Sequence, residues 1–416
     1  MKSLEASKNG IFHLANRTIV HALGAISYAL AQWLIVTFTV RFISLEAAGL
    51  YAFYLAIFTP ASILLAFGLR NSIASDSAGV YTNQDYARAR TVGLGAIAIV
   101  LGVVLVVSPQ SALIAGAVFS MKALEVYVDP IYGEWIKTGR AHRFGYSKFI
   151  RLILFLLLFA SGYIYLGAVE ILLYCYPIAS LMTLLAYDRP GSGLRDRLAV
   201  SRFKVVCQLV LFSLPLAVGS FVLSLVASLP RLGVGYLLDS ESVAVYVLLT
   251  YFVSLSAIPL QSISQISIPR YSRMSGLREI FFSSTFKKYA ALTGVTGLCF
   301  FLFMYFLGAY FVAILYGVEG GYAPVDFLLV GLAGFAHYCL LLMNAVFVAG
   351  RLFKVISRSA FVGLVVVLIF LVPAVLQFGV SGAYLTYLMS LVGTLCFMGV
   401  CAFRVAKDGS SKINPV

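Results

Sequence analysis

Charged residues lie inside two apolar stretches that are long enough to cross a membrane. Lys122, Glu125 and Asp129 stand at i, i+3 and i+7 in MKALEVYVDPIYGEW, and this spacing places them on one stripe of a helix. Arg231 lies in the second stretch, SLPRLGVGYLL, with no acid within one helical turn. Because inserting an unpaired charge at the centre of a bilayer costs about 2.5–3.5 kcal/mol, these groups are expected to face protein, water or a ligand.

Two uses of these charges follow from their chemistry. A guanidinium stays charged at any accessible pH and binds phosphate oxygens through two parallel hydrogen bonds, so Arg231 and Lys122 suit an anionic headgroup. The structural alternative is internal neutralisation. In that case Lys122 pairs with Glu125 only to allow insertion, and Arg231 forms a salt bridge with Glu125 or Asp129.

Four further residues complete the predicted substrate-binding set. It contains Lys122, Arg231, Glu125, Asp129, Arg41, Gln32, Gln261 and His337. The uncharged members suit sugar hydroxyls, although interhelical hydrogen bonds use the same residue types. The sequence has no nucleophile beside a base, no metal-ligand spacing and no phosphate-binding glycine loop with a lysine, so we predict a non-enzyme without a cofactor.

The composition requires lipid as the solvent. Of the 416 residues 61% are hydrophobic and 11% are charged, and the mean hydropathy is +0.98. A water-soluble domain has about 25% charged residues, so this composition excludes one. The chain is therefore predicted to be an all-α polytopic membrane protein.

Apolar segments long enough to span about 30 Å of hydrocarbon predict about twelve transmembrane helices. The first six lie near 18–42, 47–69, 91–108, 110–136, 149–166 and 168–187, and the second six near 208–238, 242–269, 289–315, 323–349, 359–378 and 381–403. We therefore predict two six-helix bundles around a central cavity. Their ranges are 1–187 and 208–403, with a basic linker over 188–207 and a tail over 404–416.

The basic residues predict the orientation. Of the 30 lysines and arginines, 27 fall in alternate loops and at the two ends, and the intervening loops hold mainly acids. The positive-inside rule then places both termini in the cytoplasm. This bias, together with anionic headgroups, also explains the net charge of +14 without any nucleic-acid partner.

The two halves of the sequence echo one another weakly. A shift of 195 residues places ISLEAAGLYAFY on LDSESVAVYVLL, which pairs Glu46 with Glu241 and Tyr51 with Tyr246 at a tight turn between two spans. Equal numbers of predicted helices on each side of the linker agree with this match. We therefore predict a parallel internal repeat about an axis along the membrane normal.

Several short motifs resemble those of polysaccharide exporters of the MOP superfamily. In RFISLEAAGLYAFYLAIF a Gly-x-Tyr follows an acidic turn, and IYGEWIKTGR contains the Trp-x-x-x-Gly stretch, here Trp135 and Gly139. GYLLDSESVAVY, followed by SIPRYSRM with Pro269 and Arg270, and LYGVEGGYAPVDFLLVGLAG resemble later parts of that family. With the number of spans, the chain is most similar to the Wzx-type O-antigen flippases.

The resemblance implies a function and a location. It implies a MATE-like arrangement that moves an undecaprenyl-diphosphate-linked oligosaccharide to the periplasmic leaflet by alternating access, coupled to an ion gradient. It further implies a bacterial inner membrane protein, in contact with membrane lipids, that works beside a polysaccharide polymerase and a chain-length regulator. A MATE-like multidrug exporter stays open, because its helix count is the same. A membrane-embedded polymerase is a weaker alternative, because it needs a sizeable outward loop that this chain lacks.

Overall fold

The computed structural model describes residues 2–76, 81–140, 142–165, 169–188, 203–274, 276–317, 321–350 and 352–407. Within these ranges all regular secondary structure is helical. The predicted linker over 188–207 and the predicted tail over 404–416 lie largely outside the described residues.

The described residues contain fourteen α-helices, seven before residue 188 and seven from residue 203 onward. The first seven are α1 (Lys2–Phe42), α2 (Leu45–Leu65), α3 (Leu69–Ser75), α4 (Asn83–Val107), α5 (Ala112–Lys137), α6 (His142–Tyr165) and α7 (Cys175–Ala186). The others are α8 (Phe203–Leu237), α9 (Ser240–Tyr271), α10 (Leu277–Phe282), α11 (Ser284–Tyr316), α12 (Pro324–Ala349), α13 (Phe353–Phe378) and α14 (Val380–Lys407). Short 3₁₀ turns at Pro109–Ser111 and Val169–Tyr174 precede α5 and α7.

Ten helices among the described residues are long and apolar enough to cross a membrane, so the chain is a multi-pass membrane protein. Two predicted spans are absent from this set. Helix α5 has the length, about 39 Å at 1.5 Å per residue, but Lys122, Glu125 and Asp129 fall within its apolar stretch. Helix α7 has only 12 residues. The prediction of an all-helical membrane fold is confirmed, whereas the count of twelve is not.

The chain forms two compact units. The first contains Met1–Ile43 and Ile57–Phe221, and the second contains Ser44–Ala56 and Val222–Val416. Two helices, α2 and α8, therefore contribute residues to both units. The division into bundles over 1–187 and 208–403 stays a prediction.

The same order of helix pairings occurs in each unit. In the first unit α5 packs against α3, α4 and α7, and α6 packs against α1 and α7. In the second unit α12 packs against α9, α11 and α14, and α13 packs against α14. Thus α5 and α12, each the fourth long helix of its half, have equivalent neighbours.

The repeated turn also behaves alike in both copies. Glu46 and Glu241 lie exposed in the first turns of α2 and α9. Tyr51 and Tyr246 are buried, with 2% and 1% of their surface exposed. The acids therefore face solvent and the tyrosines anchor the turns, as the internal match predicts.

Two helix boundaries differ from the sequence prediction. The predicted second span runs unbroken to residue 69, but α2 ends at Leu65, and Phe67 and Gly68 take positive φ values of 51° and 63° before α3 begins. The predicted fifth span begins at residue 149, but α6 begins at His142. The second difference places Lys148 within a helix rather than in a loop.

Candidate functional site

The break between α2 and α3 lies against α5 in the first unit. The backbone N–H of the first-turn residue Arg70 donates a hydrogen bond to Asp129 of α5, and the Arg70 guanidinium attracts that carboxylate electrostatically. A Cβ added to Gly133 would lie 2.6 Å from the Arg70 carbonyl oxygen, so the absence of a side chain permits this close approach. Non-helical backbone is tolerated at membrane depth only where protein covers it or where it lines a polar cavity. Asp129 satisfies one backbone N–H group at this break, that of Arg70.

Lys122 and Glu125 form an ion pair on the same helix. The Lys122 ammonium lies 3.0 Å from the Glu125 carboxylate, with 5% and 21% of the two side chains exposed. The ammonium also donates a 3.4 Å hydrogen bond to the hydroxyl of Tyr28 on α1. The internal neutralisation considered from the sequence is therefore present, and it leaves Glu125 partly open.

Lys148 on α6 is a buried base that the sequence prediction placed in a loop. Only 8% of its surface is exposed. Its ammonium lies 4.2 Å from the ring centroid of Tyr28, 5.7 Å from that of Tyr132 and 5.9 Å from that of Phe144. We call these three rings the aromatic box. Within the described chain, no carboxylate lies within the 4 Å limit of an ion pair from Lys148.

Arg151, one helical turn further along α6, has a partner. Its guanidinium pairs with Asp188 just beyond α7, and both side chains are buried. Ser147 donates a 2.9 Å hydrogen bond to the same carboxylate oxygen and lies 2.9 Å from the Tyr132 hydroxyl. This network holds the end of α7 against α5 and α6.

A cavity of about 330 Å³ opens beside these charges within the first unit. Its lining comes from α2, the break, α3, α5 and α8, and consists of Ser62, Ile63, Ala66, Gly68, Arg70, Asn71, Glu125, Val126, Asp129, Ala217 and Ser220. More than half of the lining residues are therefore polar or charged. We call Arg70, Lys122, Glu125, Asp129 and Lys148 the charge cluster.

Arg231 belongs to the second unit and has aromatic surroundings. Its guanidinium carbon lies 6.0 Å from the ring centroid of Tyr251. Tyr246 and Tyr387 are close enough to interact electrostatically with the guanidinium. Among the described residues of that unit, no carboxylate pairs with Arg231, and its Nε has no hydrogen-bond partner. The alternative partners considered from the sequence belong to the first unit, and that pairing stays untested.

The other members of the predicted set are not among the residues that line the cavity of the first unit. Gln32 is buried and donates a 3.2 Å hydrogen bond to the sulfur of Met121. Arg41 is exposed in the last turn of α1, and Gln261 is exposed on α9. His337 is half-buried on α12, and its Nδ1 has no partner among the described atoms. Thus the structure brings Lys122, Glu125 and Asp129 together, while substrate contact by the whole set stays a prediction.

Sequence reasoning missed Arg70, Lys148 and Arg151 because it assigned them to cytoplasmic loops. A signal for the last two exists in HRFGYSKFIRLILF. Phe144, Lys148, Arg151 and Phe155 recur there at helical spacing, and all four are buried. The described residues contain no cluster of three or more potential metal ligands.

Comparisons with known proteins support the fold. No protein-family model matches the sequence. The capsular polysaccharide biosynthesis protein CapF of Staphylococcus aureus is 22% identical over 371 residues, which cover 87% of this chain and 92% of CapF.

Solved structures of transporters match nearly the whole chain. An inward-facing MATE multidrug transporter of the MOP superfamily is 11% identical with a TM-score of 0.67, covering 95% of this chain and 100% of that one. The Vibrio cholerae MATE transporter VcmN is 16% identical with a TM-score of 0.62, covering 96% and 97%. The lipid II flippase MurJ in an inward closed conformation is 12% identical with a TM-score of 0.61, covering 94% and 90%. The chain therefore has the fold of MATE and MOP transporters.

Proposed function

We propose that this protein is a flippase of the Wzx type, which moves an undecaprenyl-diphosphate-linked oligosaccharide from the cytoplasmic to the periplasmic leaflet. The observation that carries the proposal is the charge cluster beside the cavity of the first unit. Its three bases, Arg70, Lys122 and Lys148, exceed its two acids, Glu125 and Asp129. Of its members, Arg70, Glu125 and Asp129 line the cavity, and Lys122 and Lys148 lie behind them. An excess of positive charge in the cluster as a whole favours a ligand with phosphate or acidic sugar groups.

The size of the cavity limits what it holds. A volume of about 330 Å³ lies at the lower end of the range for small-molecule pockets, about 300–1,000 Å³. It accommodates one part of a lipid-linked oligosaccharide, such as the diphosphate with an adjoining sugar. We assign the partly exposed Glu125 to sugar hydroxyls, because a carboxylate accepts hydrogen bonds from them.

Arg231 is proposed as a second contact to the same class of ligand. Its guanidinium has no ion-pair partner among the described residues of its own unit, and aromatic rings lie around it. Arginine beside aromatic faces binds phosphate and stacks on planar groups. Arg41, Gln32, Gln261 and His337 are proposed as further cavity contacts, for the oligosaccharide rather than for the diphosphate.

Two similar proteins support a lipid-linked cargo. CapF is a capsular polysaccharide biosynthesis protein, and MurJ is a lipid II flippase. In this proposal the chain lies in a bacterial inner membrane with both termini in the cytoplasm. It works by alternating access with an ion gradient, beside a polymerase and a chain-length regulator, and catalyses no covalent reaction.

Replacing Lys122 or Arg231 with alanine tests the proposal. Each variant is expected to insert normally and to reduce the amount of surface polysaccharide. Lys354 on α13 is exposed, so Lys354→Ala is the matched control and is expected to preserve the wild-type amount. Unchanged polysaccharide in both cavity variants, with normal protein levels, contradicts the assigned site.

A MATE-like multidrug exporter is the second candidate, and the two carboxylates at the cavity favour it. Glu125 and Asp129 both line the wall, and cationic drugs need such groups. The bases beside them oppose it, because each carboxylate already has a cation of the protein nearby. Export of cationic dyes by the wild-type protein in a strain without other exporters would support this candidate.

A further inference from the structure

The aromatic box encloses one of the protein's own cations. Tyr28 comes from α1, Tyr132 from α5 and Phe144 from α6, one turn before Lys148 itself. The Lys148 ammonium lies within 6 Å of all three ring centroids. Aromatic faces arranged around a cation are the usual recognition element for alkylammonium and quaternary ammonium ligands.

Two rings of the aromatic box are shared with neighbouring cations. The Phe144 centroid lies 5.9 Å from the Lys148 ammonium and 4.9 Å from the Arg70 guanidinium carbon. The Tyr132 centroid lies 5.7 Å from Lys148 and 5.8 Å from Arg151. The negative face of an aromatic ring attracts cations, so these shared rings offset part of the repulsion between like charges.

The carboxylates nearby bond to other groups. Glu125 pairs with Lys122 at 3.0 Å, Asp188 pairs with Arg151, and Asp129 accepts a hydrogen bond from the Arg70 backbone N–H. Lys148 is more than nine-tenths buried and has no ion-pair partner in the described chain. Glu125 and Asp129 attract its ammonium from beyond ion-pair distance, and the aromatic box surrounds it at closer range.

We infer that the aromatic box is an ammonium-binding site that Lys148 permanently fills as a tethered ligand. The first unit thus carries its own cation at this position and excludes external ammonium compounds from it. Removing the tethered cation opens a site for a small alkylammonium ion. This inference goes beyond the flippase proposal and holds for any cargo, since it concerns only the occupancy of the box.

Chemical rescue tests the inference with the purified protein. Lys148→Ala removes three carbons and the ammonium, which n-propylammonium replaces atom for atom, and 1-propanol is its uncharged counterpart. The protein has two tryptophans, and Trp135 lies 5.5 Å from the ring of Tyr132, so its fluorescence reports on the box. We expect a saturable fluorescence change and a higher melting temperature when n-propylammonium is added to Lys148→Ala.

The controls separate a filled ammonium site from a simple cavity. We expect no response to n-propylammonium from the wild type, from Lys148→Met, whose side chain fills the space, or from the exposed-site variant Lys354→Ala. If Lys148→Ala elutes as an aggregate, purification in n-propylammonium should restore a monodisperse peak.

Two results overturn the inference. One is a folded Lys148→Ala that responds no more to n-propylammonium than to 1-propanol. The other is an aggregated variant that n-propylammonium does not restore. Because no polysaccharide enters this experiment, its failure is distinct from failure of the flippase proposal.

Discussion

Helices α5 and α12 have equivalent neighbours in their units but different polar chemistry. Helix α5 has Lys122, Glu125 and Asp129 in its middle, beside a polar cavity. Helix α12 contains no lysine or arginine, and its only acid, Asp326, lies in the first turn. One repeated arrangement of helices therefore supports a charged interior in the first unit and a nearly uncharged one in the second.

Several buried polar groups of the second unit pair with one another across its helices. Tyr384 donates a 2.9 Å hydrogen bond to the carbonyl of Val245, and Tyr338 bonds to Ser256. Asp326 accepts hydrogen bonds from the backbone N–H of Ala323 at 2.8 Å and from the Ser381 hydroxyl at 2.5 Å. Such short-range pairing holds helices together. The first unit instead gathers three bases and two acids beside one cavity, which Arg70, Glu125 and Asp129 line. The proposal places the ligand there.

The largest expected effect comes from breaking the buried pair of the first unit. Asp188→Ala leaves the Arg151 guanidinium buried without a counter-ion, and losing one partner of such a pair costs about 3–5 kcal/mol. We expect a large drop in melting temperature in detergent. Replacing both residues together, Arg151→Met with Asp188→Ala, should recover part of the loss. A double variant less stable than Asp188→Ala would show that the pair is not the cause.

Transport should depend on α5 more than on α12. Lys122→Ala removes a charged contact, and a charge-assisted hydrogen bond worth about 1.5–3 kcal/mol corresponds to about a tenfold to hundredfold loss of function. His337→Ala on α12 should reduce surface polysaccharide less than twofold. Quantitative polysaccharide immunoblots, normalised to protein level, compare the two variants. Equal losses would contradict a first-unit site.

The glycines at which helices pack closely allow a third comparison between the two units. A Cβ on Gly145 would lie 2.0 Å from the backbone oxygen of Val20, whereas one on Gly233 would meet the Leu371 side chain at 2.7 Å. Backbone cannot move aside as a leucine can, so Gly145→Ala should cost about 1–3 kcal/mol and Gly233→Ala less. Gly95 has nothing within 4 Å, and alanine there should be neutral or stabilising. Melting temperatures that do not follow this order would contradict the packing.

The smallest effects are expected at the predicted glutamines. Among the described residues Gln32 bonds to a methionine sulfur, a weak acceptor, and Gln261 is exposed. Leucine at either position should change surface polysaccharide less than twofold. A tenfold loss at Gln261 alone would move the site toward the second unit.

The sequence predicted most of the fold because lipid imposes simple rules. Segment length and hydropathy predicted the long helices, and the match of Glu46 with Glu241 agrees with the two exposed turns in the structure. Lys122, Glu125 and Asp129 were also predictable, because one helix fixes their common stripe.

The rest of the site depends on neighbours that are distant in sequence. Lys148 is held by rings from α1 and α5 as well as by Phe144. The helical recurrence in HRFGYSKFIRLILF predicts a common face but not the distant rings that cover it. Arg70 reaches the cavity because α2 breaks at Phe67 and Gly68, and a single glycine does not predict such a break. Lysines and arginines near a predicted helix boundary were therefore assigned to loops, although tertiary contacts bury Lys148 and Arg151 within the first unit.

The most direct test of the flippase proposal is the location of lipid-linked repeat units in cells that lack this gene. The proposal predicts that single undecaprenyl-linked repeat units accumulate with their sugars on the cytoplasmic face. Normal transfer of these units to the outer face would contradict it, whether they are then joined or remain single.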